Sequence, residues 1–348
     1  MNAVPLGNVC EGPLSDTRAE AWRSTRRGAR VVGGRRWWGL RTGAPAHRPG
    51  PDRGTLDPHR PRLFALAYHL LGAAGAAEDV VRAAAARWES TDLPTSAAVE
   101  ARLTADVVNL CRDRLDSERA RRTGGWLPEP VPTGHGELGP LDSIEQRELV
   151  SLATLTLLEQ LSPEERSIFV LREAFGYAHR EIADILGLAE AESQRLYRDA
   201  RHHVHRDRIR AHPSSDRDRV VERFLIAVGA GDRASMRRVL SDDVAVIADD
   251  AHSSSNEHSA PVGPAPVAHY LVNLFAAQRP TASISLEEVN GVLAAVVRSG
   301  RTVLLVAVPE VVEDRVSAVR VVADPDKLAY FARTSGDARA HMRRDQRK

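Results

Sequence analysis

The apolar residues of this chain change their spacing part-way along, and that change limits what the chain can fold into. Leu63, Leu66, Ala67, Leu70 and Leu71 fall at helical intervals, and so do Val80, Val81, Ala84 and Trp88. Val99, Leu103, Val107, Leu110 and Leu115 continue the pattern, and a further helical block is expected up to about Arg210. Val221, Phe224, Leu225 and Val228 give one more helix, closing at Gly229 and Gly231. Beyond it come short β-branched runs at 244–248, 284–289, 292–297, 302–308 and 316–322, with helical spacing only around 266–277. Helices first and strands last describe all-α units followed by a separate α+β domain. Two or three units suit 348 residues, at about 150 per domain.

Composition sets the outer limits. The chain is 43% hydrophobic and 27% charged, which excludes disorder throughout. No apolar run nears the roughly 18 residues of a membrane span, so no membrane role is expected. Two cysteines, Cys10 and Cys111, make neither a disulfide framework nor a zinc site, which fits a reducing cytoplasm. Arg26-Arg27 and Arg35-Arg36 are followed by no apolar segment, so export is not expected. The net charge of +1 hides local asymmetry. Residues 1–60 hold eleven arginines against five acids, and residues 195–210 hold six against two, with His202, His203 and His205 interleaved. Both stretches have the charge of a nucleic-acid footprint.

Residues 1–58, rich in Gly, Pro and Arg, read as a disordered extension. Residues 59–122 read as a first helical domain, 123–143 as a linker and 144–211 as a second helical domain. Residues 216–331 form the α+β domain, and 332–348 a polar tail. Within the second helical domain, Ser162-Pro163-Glu164-Glu165 carries a serine cap, a proline at the first helical position and two acids in the first turn. The segment from His179 is the most informative. A short helix reaches Leu186, Gly187-Leu188 is a turn, and a second helix begins at Ala189. Ala183, four residues before the turn glycine, lets the two helices cross closely, while Ile182, Leu186, Leu188 and Leu196 fill the junction. That is helix-turn-helix grammar, in which the second helix enters the DNA major groove.

Around these residues lies a wider likeness. Leu161-Ser162-Pro163-Glu164-Glu165-Arg166, Phe169-Val170-Leu171-Arg172-Glu173 and Phe175-Gly176-Tyr177 resemble region 4 of extracytoplasmic-function (ECF) sigma factors of the sigma-70 family. Residues 63–88, with Ala77-Glu78-Asp79-Val80-Val81, resemble their region 2. Trp126-Leu127-Pro128-Glu129-Pro130 is similar to the linker motif of a subgroup that carries a C-terminal SnoaL-like domain. Arg223-Phe224-Leu225, Gly231-Asp232 and Asp324-Pro325-Asp326-Lys327-Leu328 resemble that domain's helix start and closing motif. The implied fold class is multidomain: two all-α sigma domains, a region 2 bundle and a region 4 helix-turn-helix, followed by an α+β SnoaL-like cone.

The resemblance implies roles. Glu78, Asp79 and Val80 would dock on core RNA polymerase. Asn109, Arg119, Arg121 and Arg122 would hold the −10 element as a single strand, where bases need pockets and phosphates need cations. Glu192, Ser193, Gln194, Arg195 and Arg198 lie on the helix expected to read the −35 element, where Arg and Gln suit guanine and adenine edges and Glu can accept from cytosine. Trp126, Leu127 and Pro128 would meet Asp326, Lys327 and Leu328 between domains. Some positions depart from the pattern. Arg82-Ala83-Ala84-Ala85-Ala86 replaces the family's Gln-Glu and large apolar residue, which weakens the expected polymerase contact, and Arg102 stands where the family has tryptophan.

For the α+β domain a pocket that takes a small molecule is expected, but no enzyme activity, cofactor or metal. Its candidate acids and histidines, Asp242, Asp249, Asp250, His258 and His269, share no recognisable spacing. Two readings therefore stand. One is a cytoplasmic promoter-specificity factor that works with core polymerase and promoter DNA and is regulated by its own C-terminal domain. The other is a SnoaL-like small-molecule enzyme or ligand sensor with a degenerate sigma-like half.

Overall fold

The computed structural model describes residues 57–87, 96–119, 126–134, 138, 147, 149–208, 217–249, 261–278 and 282–345. The expected N-terminal extension lies almost wholly outside them. After a 3-10 turn at Asp57–His59, the first helical block consists of α1 (Arg60–Leu71), α2 (Ala74–Arg87) and α3 (Ser96–Arg119). Gly72 closes α1 with a φ of 65°, its N–H donating to the Tyr68 carbonyl at 2.7 Å. The second block holds α4 (Leu152–Leu158), α5 (Pro163–Glu173), α6 (His179–Leu186) and α7 (Glu190–Arg208). The start of α5 is a complete capping box. The Ser162 hydroxyl accepts from the Glu165 N–H at 3.2 Å, and the Glu165 carboxylate accepts from the Ser162 N–H at 2.9 Å.

The two helical blocks share one hydrophobic core. Tyr68, Leu71, Leu103, Val107 and Cys111 of the first belong to the same buried cluster as Ile168, Phe169, Leu171 and Tyr177 of the second. Burial raises the Cys111 thiol pKa, as suits a small core residue. Polar contacts line this boundary. Arg112 pairs with Glu164 at 2.6 Å, and the Thr104 and Tyr177 hydroxyls are 3.3 Å apart. The Arg62 guanidinium lies over the Phe175 and Tyr177 rings, 5.2 and 5.7 Å from their centroids.

The C-terminal half begins with α8 (Arg217–Ala230) and α9 (Arg233–Val239), which is capped by the Asp232 side chain. Strand β1 (Leu240–Asp249) and helix α10 (Pro264–Gln278) follow. Then come β2 (Ser283–Val289), β3 (Val292–Ser299), β4 (Thr302–Val312) and β5 (Arg315–Val322), and the closing helix α11 (Pro325–Asp345). The sheet order is β1-β5-β4-β3-β2, with β1 parallel to β5 and the other pairs antiparallel. Both faces are covered, which explains the unbroken apolar run of β4. One face packs on α8, α9 and α10 through Phe224, Leu225, Met236, Leu271 and Phe275. The other packs on residues from outside the sheet: Leu127, Leu152, Leu328 and Phe331. The α+β domain after two helical blocks is the expected fold class.

One expectation needs correcting here. The stretch 332–348 is not a free polar tail, because α11 runs to Asp345 and turns Ser335 into the interior, where its hydroxyl accepts from Arg298 at 3.1 Å. The expected linker is held tightly over 127–133. Leu127, Pro128 and Pro130 to Thr133 are buried, because the sheet domain and the first helical block close on them from two sides.

His69 sits at the boundary of the two helical blocks. Its ring is buried, donates from Nδ1 to the Ala65 carbonyl at 2.6 Å and meets the Phe175 ring edge-on at 5.8 Å. Burial holds its pKa below the ordinary value. Its share of stability is therefore complete above the unfolded pKa of about 6.5 and is lost as pH falls toward the folded-state value. Thermal unfolding followed from pH 8 to pH 5.5 should show a falling midpoint below about 6.5, and His69→Gln should flatten that fall. An unchanged slope in the variant would contradict this.

Candidate nucleic-acid interface and interdomain strap

The helix-turn-helix is formed by α6 and α7. Gly187 has a φ of 71° and ends α6, and the Leu188 N–H donates back to the Ala183 carbonyl at 2.9 Å. Ile182, Ala183, Ile185 and Leu186 are buried, so the angle between the helices is set by packing. Glu192, Gln194, Arg195 and Arg198 are exposed on α7, with Arg201 and His202 continuing the outward side. At rest Arg195 is held by Asp199 at 3.2 Å and Glu192 at 4.0 Å, exposed pairs that contribute little and are easily exchanged for a phosphate or base.

Ser193 is a correction. It was expected among the base-reading residues, but it is fully buried and its hydroxyl lies 3.1 Å from His179 Nδ1. The helical repeat turns it toward α6, so it sets the seat of α7 instead of facing outward. The His179 ring also meets Tyr197 at 5.3 Å, and Tyr197 bonds the Glu173 carboxylate. Burial and that carboxylate push the Tyr197 hydroxyl up to about 12. Asn109 is exposed on α3. The Arg119 side chain, Arg121 and Arg122 lie outside the described residues.

The expected polymerase face is reshaped in the same way. Val80 is buried in the helical core, so it supports the face from behind and does not present it. Asp79 is exposed and bonds Arg82 at 2.8 Å, which lets the unusual Arg82 neutralise its neighbour. Glu78 is reached by Arg333 of α11 at 2.6 Å, and one turn earlier the Tyr330 ring stacks on Phe64 of α1 at 5.5 Å. The closing helix therefore lies against the surface expected to take a partner.

The structure brings the two interdomain motifs together. Lys327 reaches across to donate to the Leu127 carbonyl at 2.8 Å, stands 5.1 Å over the Trp126 ring and pairs with Asp249. Asp249, expected as a pocket acid, also accepts from the Leu127 N–H at 3.2 Å. Leu328 buries itself beside Leu127 in the second sheet-face cluster. Asp326 is exposed at the start of α11, its N–H donating to the Asp324 carboxylate at 2.9 Å. Trp126 in turn covers the Gly72 turn so closely that a Cβ there would lie 2.5 Å from the ring. Glu129 completes the strap. Its N–H donates to the Gly72 carbonyl at 2.8 Å, and its carboxylate accepts from the Gly75 N–H at 3.0 Å, at the start of α2. Burial raises the Glu129 pKa, against the lowering pull of those backbone donors.

The other expected acids and histidines of the sheet domain are only partly described. Asp242 and His269 are exposed, and Asp250 and His258 lie outside the described residues. Sequence reasoning missed two buried arginines on the strap-facing side of the sheet: Arg298, bonded by Glu287 and Ser335, and Arg320, paired with Glu310. Desolvation lowers the Arg320 pKa to about 10. Alternation along β3 and β5 places both side chains inward, but valine-rich strands give no sign that a charge is paired there.

Comparison with known proteins fits this arrangement. Residues 151–204 match the family model for sigma-70, region 4. The ECF RNA polymerase sigma factor SigJ of Mycobacterium tuberculosis is 37% identical over 195 residues, 55% of this chain and 62% of its own length. The probable ECF sigma factor SigI of the same organism is 31% identical over 194 residues, 66% of its length. The matched stretches thus fall short of two thirds of these curated relatives. The crystal structure of SigJ covers 80% of this chain and 98% of its own, with a TM-score of 0.63 and 28% identity, so helical and sheet parts are matched together. Over these stretches the chain is similar to ECF sigma factors of the sigma-70 family. Helices α4 to α7 span the match to region 4, and the strap ties the sheet domain to the block expected to be region 2.

The strap yields a stability test. Trp126→Ala and Lys327→Met should each lower the unfolding free energy measured in urea by on the order of 2 kcal/mol, one through lost packing and the other by leaving Asp249 unpaired. Because both act on one contact, the double variant should lose clearly less than the sum. Additive losses would mean that the ring and the ammonium do not depend on each other.

Proposed function

We propose that this protein is an RNA polymerase sigma factor in the cytoplasm, directing core polymerase to promoters, with its sheet domain regulating it in the same chain and without catalysing a reaction. The observation that carries this is the seated helix-turn-helix, whose outward residues on α7 are those suited to reading bases. The relatives named as sigma factors favour it over a small-molecule enzyme or sensor. Residues 59–122 then act as region 2 and 216–331 as the regulator. No helix among the described residues is long and apolar enough to cross a membrane.

On this reading Gln194, Arg195 and Arg198 face the −35 element and Asn109 the −10 strand, while Asp79 and a released Glu78 meet polymerase. The two promoter elements stand about 25 base pairs apart, on the order of 85 Å at about 3.4 Å per pair. Blocks that share a hydrophobic core cannot reach both at once. The described arrangement is therefore the closed, waiting form, and engagement with polymerase and DNA must separate region 4 from region 2.

Run-off transcription with purified core polymerase tests the proposal. Transcripts should start from a small set of genomic promoter fragments, and none from any fragment would refute it. Arg195→Ala should relax sequence preference, at a cost of about 1–3 kcal/mol for the preferred site if the contact is bidentate. Ser193→Ala should lower thermal stability and leave the base preference intact. If the serine variant changed preference and the arginine variant did not, the assignment of faces on α7 would be wrong.

A further inference from the structure

The β2–β3 turn of the sheet domain places one side chain among three other parts of the molecule. Asn290 and Gly291 have φ values of 51° and 74°, the two left-handed residues of a tight hairpin turn. A turn tip is ordinarily wet, but Asn290 is fully buried. Its amide nitrogen donates to the Tyr68 hydroxyl at 2.7 Å and to the Val150 carbonyl at 2.7 Å. Its amide oxygen accepts from the Val131 N–H at 2.9 Å, and its own N–H donates to the Val131 carbonyl at 3.0 Å. Both donors and the acceptor of the side chain are therefore used. The partners lie on α1 of region 2, on the strap and on the approach to region 4. Tyr68 passes the connection on, since its buried hydroxyl donates to the Glu129 carbonyl at 2.7 Å. Gly291 fits closely as well, its N–H donating to Thr133 Oγ1 at 2.9 Å and a Cβ there lying 3.1 Å from Arg147.

We propose that Asn290 is the latch of the closed form: one buried amide that bonds region 2, the strap and region 4 together and must release at least one of them when the chain opens. This rests on the sigma-factor reading, which requires regions 2 and 4 to separate. Once they part, the Tyr68 hydroxyl and the Val150 carbonyl cannot both stay within 2.7 Å of the same nitrogen. A buried donor that loses its acceptor is costly until water reaches it, so the latch resists partial opening and gives way as a unit. Polymerase binding would then have to draw region 2 and region 4 apart against this node, and loosening the node would make opening easier.

Two variants test the latch in the full-length chain. Asn290→Gly keeps the turn, which accepts glycine at that position, and removes the whole amide. Tyr68→Phe keeps the ring and removes the hydroxyl. Hydrogen exchange without polymerase should speed up roughly tenfold at the amides of α1 and α5 in each variant, with little further gain in the double variant and no change in α8 and α10. Titration with core polymerase should show tighter binding by roughly the same factor. Unchanged exchange at α1 and α5 in both single variants would overturn the latch, and so would a rise spread evenly over the sheet domain. Faster exchange with no polymerase binding by any variant, or by the parent chain, would uphold the latch and overturn the sigma-factor reading instead.

Discussion

The apolar contact between the first helical block and region 4 governs the rest of this molecule. Phe169, Leu171 and Tyr177 pack into the core formed by Tyr68, Leu103 and Val107, and water is excluded from a boundary that promoter binding would expose. A contact of this kind is strong enough to keep two domains together, and it does not say when they should part. The added polar groups supply that condition. Arg112 with Glu164, and Thr104 with Tyr177, are partly or wholly buried at the boundary, so they favour the closed form while it is dry and find water once it opens.

The sheet domain adds a second restraint on the same event. It touches region 2 through Tyr330 and Arg333, the strap through Lys327, and both helical blocks through Asn290. Many of these contacts use one side chain for two partners, as Asp249 does with Lys327 and the Leu127 N–H. Shared partners make contacts depend on one another, and contacts that depend on one another break together. A domain fused to the chain in this way need not bind and release. Its concentration at the site is fixed by the strap, and on the proposed function the only variable is whether the closed packing or a polymerase complex is lower in free energy.

Much of this was legible in the residues, and what was not has physical reasons. Helical spacing gave α1 to α3, serine and proline gave the start of α5, and the alanine-to-glycine spacing gave the α6–α7 turn. The pairing of the Trp126 motif with the Lys327 motif came from the resemblance of both motifs to those of the sigma-factor subgroup. Side-chain direction was not. Ser193 falls within a segment whose neighbours face outward, and only the helical phase against a packed partner turns it inward. Asn290-Gly291 between two strand runs is a strong hairpin signal, but local pattern places such a turn at the surface. Its burial depends on a strap about 160 positions away in the chain, and such long-range meetings leave no mark in local periodicity.

On the proposed function the protein rests with its two helical blocks closed on each other and works with them apart. Single-molecule energy transfer between dyes at positions 60 and 160, exposed sites outside the proposed polymerase and DNA contacts, in a Cys10→Ser background that leaves only buried Cys111, measures that directly. The free protein should give one short-distance population. Adding core polymerase and promoter DNA should replace it with a population longer by tens of ångströms, in keeping with promoter elements on the order of 85 Å apart. A long distance in the free protein, or a short one retained in a complex that transcribes, would contradict the account.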